Sequence, residues 1–303
     1  MSEKPATVRE GVPLERFATI RTGGQAQYFA RASTEPQLAE LLRWAREVQA
    51  AVSVVGSGSN LLIADEGVEG LVVKLDGKLA EIEIDGERLR CGGGARLPAV
   101  AARCAREGLS GIEFGVNIPG TVGGAVRMNA NAYGGELAAV LQWVNIATAD
   151  GLQRREASEL GFAYRHSNLK DGEIVTCASF LLARADSASV KATLAQMRAA
   201  RHEAQPQGIK TFGSTFKNPE GGVGPDGKGR TAGLLLSEAG CNGLAVGGAR
   251  FAPKHANFIE NTGSASTADV LALMDKGRSL VLERFGVELE PEVQTLGPVT
   301  FPW

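Results

Sequence analysis

Apolar residues recur along this chain at two spacings. Leu38, Leu41, Leu42, Ala45 and Val48 fall at helical intervals behind Thr34 and Pro36, so a helix is predicted to start there. The run AVSVV (51–55) predicts a strand ending in the glycine turn G-S-G-S-N (56–60). LLIA (61–64), a turn at Asp65-Glu66-Gly67 and a second strand, LVVKL (71–75), follow. EIEIDGERLRCGG (81–93) and WVNIATADGLQRREA (143–157) each place strand patterns on both sides of Asp-Gly, a hairpin signal. A short helix is predicted from Leu97 to Glu107, stopped by Gly108. EIVTCASFLLAR (173–184) reads as a long strand, and a helix carrying Val190, Leu194 and Met197 begins at Ser187 or Ser189. Thr231 to Ala239 reads as a short helix. Ser266 to Phe285 reads as a long one, opened by Ser266 with Asp269 three residues on and closed by Gly286. VELEPEVQTLG (287–297) reads as the last strand.

This order bears on the glycine turn. In a Rossmann unit such a turn opens a helix, and a third glycine packs that helix on the strand. Here only four residues separate the turn from the next breaker, too few for a crossover helix. Hairpins beside separate helices predict α+β lobes and not one doubly wound sheet. The stretch 110–135, SGIEFGVNIPGTVGGAVRMNANAYGG, shows no period, and its Ile, Val, Phe and Met content argues for an ordered functional loop. Composition turns polar and rich in Gly and Pro over 201–229, which predicts a boundary near residue 200. The expected domains are 9–200, with lobes of about 9–78 and 79–200, and 201–303.

With 303 residues and a net charge of -2, the chain has no bulk field to recruit nucleic acid or acidic membrane. No apolar run approaches the roughly 18 residues of a membrane span. The first residues, MSEKPATVRE, are polar and unlike a signal peptide, so a cytoplasmic location is expected. Cys91, Cys104, Cys177 and Cys241 form no CxxC pair and the three histidines offer no metal spacing, so buried thiols and no metal are expected. The 39 glycines cluster at 56–58, 92–94, 120–124, 134–135, 221–224 and 247–248. Backbone N–H groups around glycines make concave anion sites that need no lysine. Ser57, Ser59, Asn60 and Thr121 add neutral donors. Two such loops make a nucleotide cofactor plausible without naming it.

V-V-G-S-G-S-N-L-L (54–62), preceded by R-T-G-G (21–24) and followed by I-P-G-T-V-G-G-A (118–125), resembles the UDP-N-acetylenolpyruvoylglucosamine reductase (MurB) family of peptidoglycan synthesis. N-A-Y-G (131–134), Y-R-H-S (164–167), G-S-T-F-K-N-P (213–219), K-H-A-N-F-I (254–259) and L-E-P-E-V (289–293) continue the resemblance in family order, over residues 13 to 297. It implies the FAD-binding fold of vanillyl-alcohol-type oxidases in two lobes, followed by an α+β domain for a UDP-sugar. It implies noncovalent FAD, NADPH as cosubstrate, and a monomer. The cofactor residues implied are Arg21, Gly56, Ser57, Gly58, Ser59, Asn60, Leu61, Ile118, Pro119, Gly120, Thr121, Gly123, Gly124, Ala125, Asn131, Tyr133 and Val175.

The implied reaction reduces a carbon–carbon double bond. Such a site needs charge stabilisation beside a carboxylate and an acid to protonate carbon. The resemblance gives the acid's part to Ser214, the carboxylate's partner to Arg165, and the role of polarising acid to Glu292, with Glu290 as the alternative. A planar guanidinium fork suits a carboxylate. Arg201, Lys217, Asn218, Lys254, His255 and Asn257 are implied at the substrate, although His255 reads equally as a packed histidine. Two positions depart from the family pattern. Asn131 stands where N-A-G-A-Y-G commonly has Gly, and a left-handed Asn is expected to preserve the turn. Ala204 stands where Lys or Thr is common.

Overall fold

The computed structural model describes residues 3–219 and 230–303; the glycine cluster at 221–224 lies outside them. The chain divides into two compact units, one of Met1–Val12, Ala26–Ser57 and Glu69–Arg201, the other of Pro13–Gln25, Gly58–Val68 and His202–Trp303. The second unit therefore takes in two segments, 13–25 and 58–68, that fall inside the N-terminal lobe expected from the sequence.

The first unit holds two sheets. One has the strand order Arg9–Pro13, Gln25–Ala32, Val68–Leu75, Val52–Val54, the last two parallel. The helix Glu35–Glu47 shares a core with this sheet, bringing Leu38, Leu41, Leu42 and Ala45 together with Leu71, Val73 and Leu75. Thr34 caps that helix, its hydroxyl accepting the Gln37 N–H at 3.3 Å. The other sheet is antiparallel, in the order Gly151–Glu156, Leu141–Thr148, Ile174–Leu181, Arg88–Gly92, Ile82–Asp85. Both expected hairpins are in it. Its apolar face, with Leu89, Val144, Ile146, Ala178 and Phe180, packs on Val100 and Cys104 of the helix Leu97–Arg106 and on Val122 and Val126 of the helix Val122–Arg127. The aperiodic stretch 110–135 is thus a series of elements too short to show a period: a 3-10 turn Glu113–Asn117, the Val122–Arg127 helix, and a hairpin of Asn131–Ala132 with Gly135–Glu136.

In the second unit the strands Ala245–Val246, Ala249–Phe251 and Ile259–Asn261 form a sheet, beside the helices Ala232–Glu238 and Thr267–Phe285. The long helix has the expected capping box: the Ser266 hydroxyl accepts the Asp269 N–H at 3.0 Å, and the Asp269 carboxylate accepts the Ser266 N–H at 3.1 Å. Gly286 closes it with φ 67°. The Asp65 carboxylate caps it too, taking the N–H groups of Thr267 and Ala268 at 2.9 and 3.0 Å.

One segment gains an element, and the last strand is shorter than expected. The segment 61–64 contains a strand, Leu61–Ile63, parallel to Gln294–Leu296. The expected strand 287–297 makes a ladder only over Gln294–Leu296. Pro291 lacks the N–H that a continuous ladder needs. The residues flanking it pair instead with 215–217, as described below. Among the described residues no helix is long and apolar enough to cross a membrane.

Candidate functional site

In the first unit the two glycine loops meet. A methyl group built on Gly56 would lie 2.5 Å from the Thr121 Oγ1, so only glycine permits this approach. Thr121 is buried and caps the short helix behind it, its hydroxyl accepting the Gly124 N–H at 3.4 Å. The Gly120 carbonyl accepts the Leu97 N–H at 3.0 Å, and the Gly123 N–H donates to the Gly93 carbonyl at 2.8 Å, so the loop is fixed at both ends. A Cβ on Gly93 would be only 1.8 Å from the Val175 carbonyl, and one on Gly123 3.6 Å from it. Val175 thus sits beside the second loop. Ile118 packs against the core with its backbone extended, and Ala125 lies within that core; Pro119 sits between Ile118 and Gly120. Ser57 follows Gly56, and the Gly56 carbonyl accepts the Lys74 ammonium at 2.5 Å.

The second cluster of this unit is built around Arg165. Ala163 and His166 exchange backbone bonds of 3.2 and 3.1 Å across Tyr164 and Arg165, and Arg165 takes φ 55°. A left-handed backbone is unusual for a residue other than glycine and is found where neighbours impose it. The guanidinium donates from Nη1 to Asn131 Oδ1 at 2.8 Å and lies 4.9 Å from the centre of the Tyr164 ring. Asn131 is not left-handed. It lies in the short hairpin, opposite Glu136. The positive φ angles fall on its neighbours: Asn129 at 40°, Tyr133 at 51° and Gly134 at 79°. Tyr133 and Gly134 supply the two-residue turn, whose primed geometry requires them, so position 131 is free to carry a side chain. Asn129 is buried; its amide donates to Glu136 Oε1 and the Ala163 carbonyl, joining the hairpin to the Arg165 turn. Tyr133 is exposed, and close to Arg201, whose charge is disfavoured by burial and partly favoured again by Tyr133.

The second unit brings Ser214 and Glu292 onto neighbouring chain segments. Ser214 bridges antiparallel to Phe258, and Phe216 to Pro291. The Glu292 N–H donates to the Thr215 carbonyl at 2.9 Å, and the Lys217 N–H to the Glu290 carbonyl at 2.8 Å. The two acids are now distinguishable. Glu290 is exposed and pairs with Lys217 at 3.2 Å, whereas Glu292 is half-buried. Gly58, Ser59 and Asn60 lie in this unit too. A Cβ on Gly58 (φ 63°) would fall 1.9 Å from the Phe17 carbonyl, and Ser59 presents its carbonyl to Gly213. The Asn60 amide donates to the Glu292 carbonyl at 3.1 Å, and Leu61 begins the strand paired with Gln294. Arg21 is left-handed (φ 66°) and donates to the Arg16 carbonyl at 2.9 Å.

The implied substrate residues of this unit divide by what their polar atoms do. Asn257 is buried; its amide accepts the Phe216 N–H at 2.9 Å and donates to the Phe216 carbonyl at 2.8 Å. That bidentate clamp makes it a support for the segment that carries Ser214. The Asn218 side chain accepts the Ala232 N–H at 3.0 Å, at the start of the helix Ala232–Glu238. Lys254 donates to the His202 carbonyl at 3.1 Å. Burial pushes the His255 pKa down, and its Nδ1 accepts the Asn257 N–H at 3.3 Å, while its ring stands edge-on to Phe258. This is the environment of a packed, neutral imidazole.

Lys74 is a residue that the sequence motifs do not mark. The signal available was one charge inside the otherwise apolar run LVVKL. Asn129 was likewise passed over, because the glycine pattern drew attention to position 131.

The family profile for the UDP-N-acetylenolpyruvoylglucosamine reductase C-terminal domain matches residues 205–296, and that for an FAD binding domain matches 26–156. A UDP-N-acetylenolpyruvoylglucosamine reductase from Symbiobacterium thermophilum is 42% identical over 295 residues, covering 97% of this chain and 93% of that protein. One from Heliobacterium modesticaldum is 40% identical over 287 residues, covering 94% and 89%. The crystal structure of the enzyme of the same name (MurB) from Thermus caldophilus superimposes with a TM-score of 0.82 at 36% identity, covering 95% of this chain and 99% of that one.

Proposed function

This chain belongs to the UDP-N-acetylenolpyruvoylglucosamine reductase family, and we propose that it reduces UDP-N-acetylglucosamine enolpyruvate to UDP-N-acetylmuramate with NADPH. The cofactor is FAD, bound noncovalently. The residues present suit its diphosphate: with no side chain at Gly56 the first glycine loop packs directly on Thr121 of the second, so two loops of backbone N–H and neutral hydroxyl donors are held together. FAD, when bound, supplies hydride transfer between NADPH and the enolpyruvyl double bond.

The protein's own groups do the rest. Arg165 pairs with the enolpyruvyl carboxylate through its planar fork and stabilises the negative charge that develops beside it. Its left-handed backbone and the bond to Asn131 hold the guanidinium in one orientation. Ser214 delivers the proton to carbon. A serine hydroxyl is a weak acid, so its neighbours have to favour the ionised form. Glu292, on the adjacent segment, polarises the same region. Lys217, paired with Glu290, and Asn218, capping a helix, shape the segment after Ser214. Gly58, Ser59 and Asn60 are tied to the Ser214 segment, Ser59 through its carbonyl beside Gly213 and Asn60 through the Glu292 carbonyl. Arg201 and Lys254 serve the anionic part of the UDP-sugar. The enzyme acts on small molecules, in the cytoplasm and as a monomer.

The observation that supports this reading is the pairing of the 215–217 segment with 290–292, in which the Glu292 N–H bonds to the carbonyl of Thr215, the residue next to Ser214. The test is spectroscopic. Purified protein should be yellow, acid precipitation should release the colour, and NADPH should bleach the flavin band. Addition of the enolpyruvyl substrate should restore it. Bleaching that only oxygen reverses would point to a flavin oxidase and sink the assignment.

A further inference from the structure

The strand Val68–Leu75 lies inside a sheet and is buried along most of its length, yet it carries Lys74. A half-buried ammonium costs free energy unless something rewards its charge. Burial lowers the Lys74 pKa, Arg31 and Arg96 lower it further, and only Asp76 acts the other way. Asp76 is itself held by Arg31 at 3.1 Å and by the Ser33 hydroxyl at 2.5 Å. Arg31 and Arg96 thus add positive charge at Lys74, and Asp76 partly offsets it. Arg96 is tied to the second glycine loop, since its backbone bridges to Thr121. Lys74 is tied to the first, through the Gly56 carbonyl.

In a trans peptide the C=O of one residue and the N–H of the next point in opposite directions. An ammonium on the Gly56 carbonyl therefore turns the Ser57 N–H away from Lys74. We propose that Lys74 is a positioning residue for the FAD diphosphate: it fixes the Gly56–Ser57 peptide so that its N–H serves as a donor, and with Arg31 and Arg96 it supplies the local positive charge that the dianion balances. The glycine cradle thus has a cationic backing, although the chain as a whole is slightly acidic. This rests on the FAD reading above.

The test is flavin binding to protein stripped of its cofactor, followed by quenching of flavin fluorescence. Hydrogen bonds to a charged group are typically worth about 1.5–3 kcal/mol, so Lys74→Met should weaken FAD binding by about 10–100-fold. Riboflavin, which has no diphosphate, should bind the variant as it binds the parent, and the melting temperature without flavin should be unchanged. Lys74→Arg should restore FAD binding. In the parent, FAD affinity should fall as pH rises through the lowered Lys74 range, because the charged form favours the dianion. Lys74→Arg keeps its charge there and should abolish that fall. Equal losses for FAD and riboflavin, an undiminished FAD affinity in Lys74→Met, or an unchanged alkaline fall in Lys74→Arg would each overturn the proposal. A parent protein that binds no FAD would overturn the cofactor reading itself.

Discussion

The two units hold their functional groups by different means. In the first, the backbone does most of the positioning. A missing side chain lets the Gly56 main chain meet the Thr121 side chain and the Gly93 main chain meet that of Val175, and Tyr133 and Arg165 accept left-handed angles that their residue types disfavour. In the second, asparagine side chains bind to main chain. Asn257 clamps Phe216, Asn60 holds the Glu292 carbonyl, and Asn218 caps the helix at Ala232. The first strategy suits a diphosphate, which asks for converging N–H groups. The second suits the proposed part of Ser214, whose hydroxyl would have to be delivered to a fixed point. Substitutions should therefore fail differently in the two units: through backbone geometry in one, and through unsatisfied polar groups in the other.

The largest effect expected is at Ser214. Reduction of the flavin by NADPH needs no proton from this residue, so Ser214→Ala should leave that half-reaction within a few-fold of the parent. Reoxidation by the enolpyruvyl substrate should slow by about 10²–10⁴, the usual worth of a positioned general acid. Ser214→Cys should keep more activity than Ala. Stopped-flow absorbance at the flavin band separates the two steps. If both fall equally, the mutation has disturbed the flavin, and the division of labour between the units is wrong.

Next comes the clamp beneath Ser214. Asn257→Ala strips both partners from the buried Phe216 peptide, and leaving buried donors and acceptors unpaired should cost about 2–4 kcal/mol. Urea unfolding measures the loss. FAD affinity should hold, because the Gly56–Thr121 contact belongs to the other unit. Loss of FAD with no loss of stability would mean that Asn257 serves the cofactor directly.

A smaller effect should arise at Asn131, where the first unit uses a side chain in the manner of the second. Asn131→Asp would place a carboxylate on Arg165 and compete with that of the substrate, so KM for the enolpyruvyl compound should rise about tenfold, equivalent to about 1.4 kcal/mol. Asn131→Ala should do less, and NADPH reduction of the flavin should be untouched by either. An Asn131→Asp enzyme with the parent KM would separate Arg165 from the substrate carboxylate.

How far the sequence could be read follows the same division. Glycine clusters announce backbone strategies, so the loops at 56–58 and 120–124 stood out before any fold was known, as did the helix caps at Thr34 and Ser266. Polar clamps announce nothing. An asparagine that binds its own chain is indistinguishable in sequence from one awaiting a ligand, so the sequence does not show the backbone bonds that Asn257 and Asn218 make. Position 131 misled for a related reason. Its departure from Gly suggested a left-handed Asn, whereas the turn had already placed its positive φ angles on Tyr133 and Gly134. The strand expected over 287–297 failed because periodicity does not register the missing N–H of Pro291.

The smallest expected effect tests the second unit's rule from the opposite side. Thr215 stands between Ser214 and Phe216, is fully buried, and its hydroxyl has no hydrogen-bond partner among the described residues. Its backbone already bonds on both sides, the N–H to the Asn257 carbonyl at 2.8 Å and the carbonyl to the Glu292 N–H at 2.9 Å. If side-chain polarity in this segment mattered only where it is satisfied, removing an unsatisfied hydroxyl should help. Valine keeps the β-branched shape and replaces the hydroxyl by a methyl group, so Thr215→Val should raise stability by about 1 kcal/mol. The backbone bonds that join Thr215 to Asn257 and Glu292 would remain, so the rate of flavin reoxidation should not change. Thermal melting of both proteins decides the first point and stopped-flow the second. A destabilised Thr215→Val with slowed reoxidation would mean that the hydroxyl belongs to the proton-delivery machinery and finds its partner only when substrate is bound.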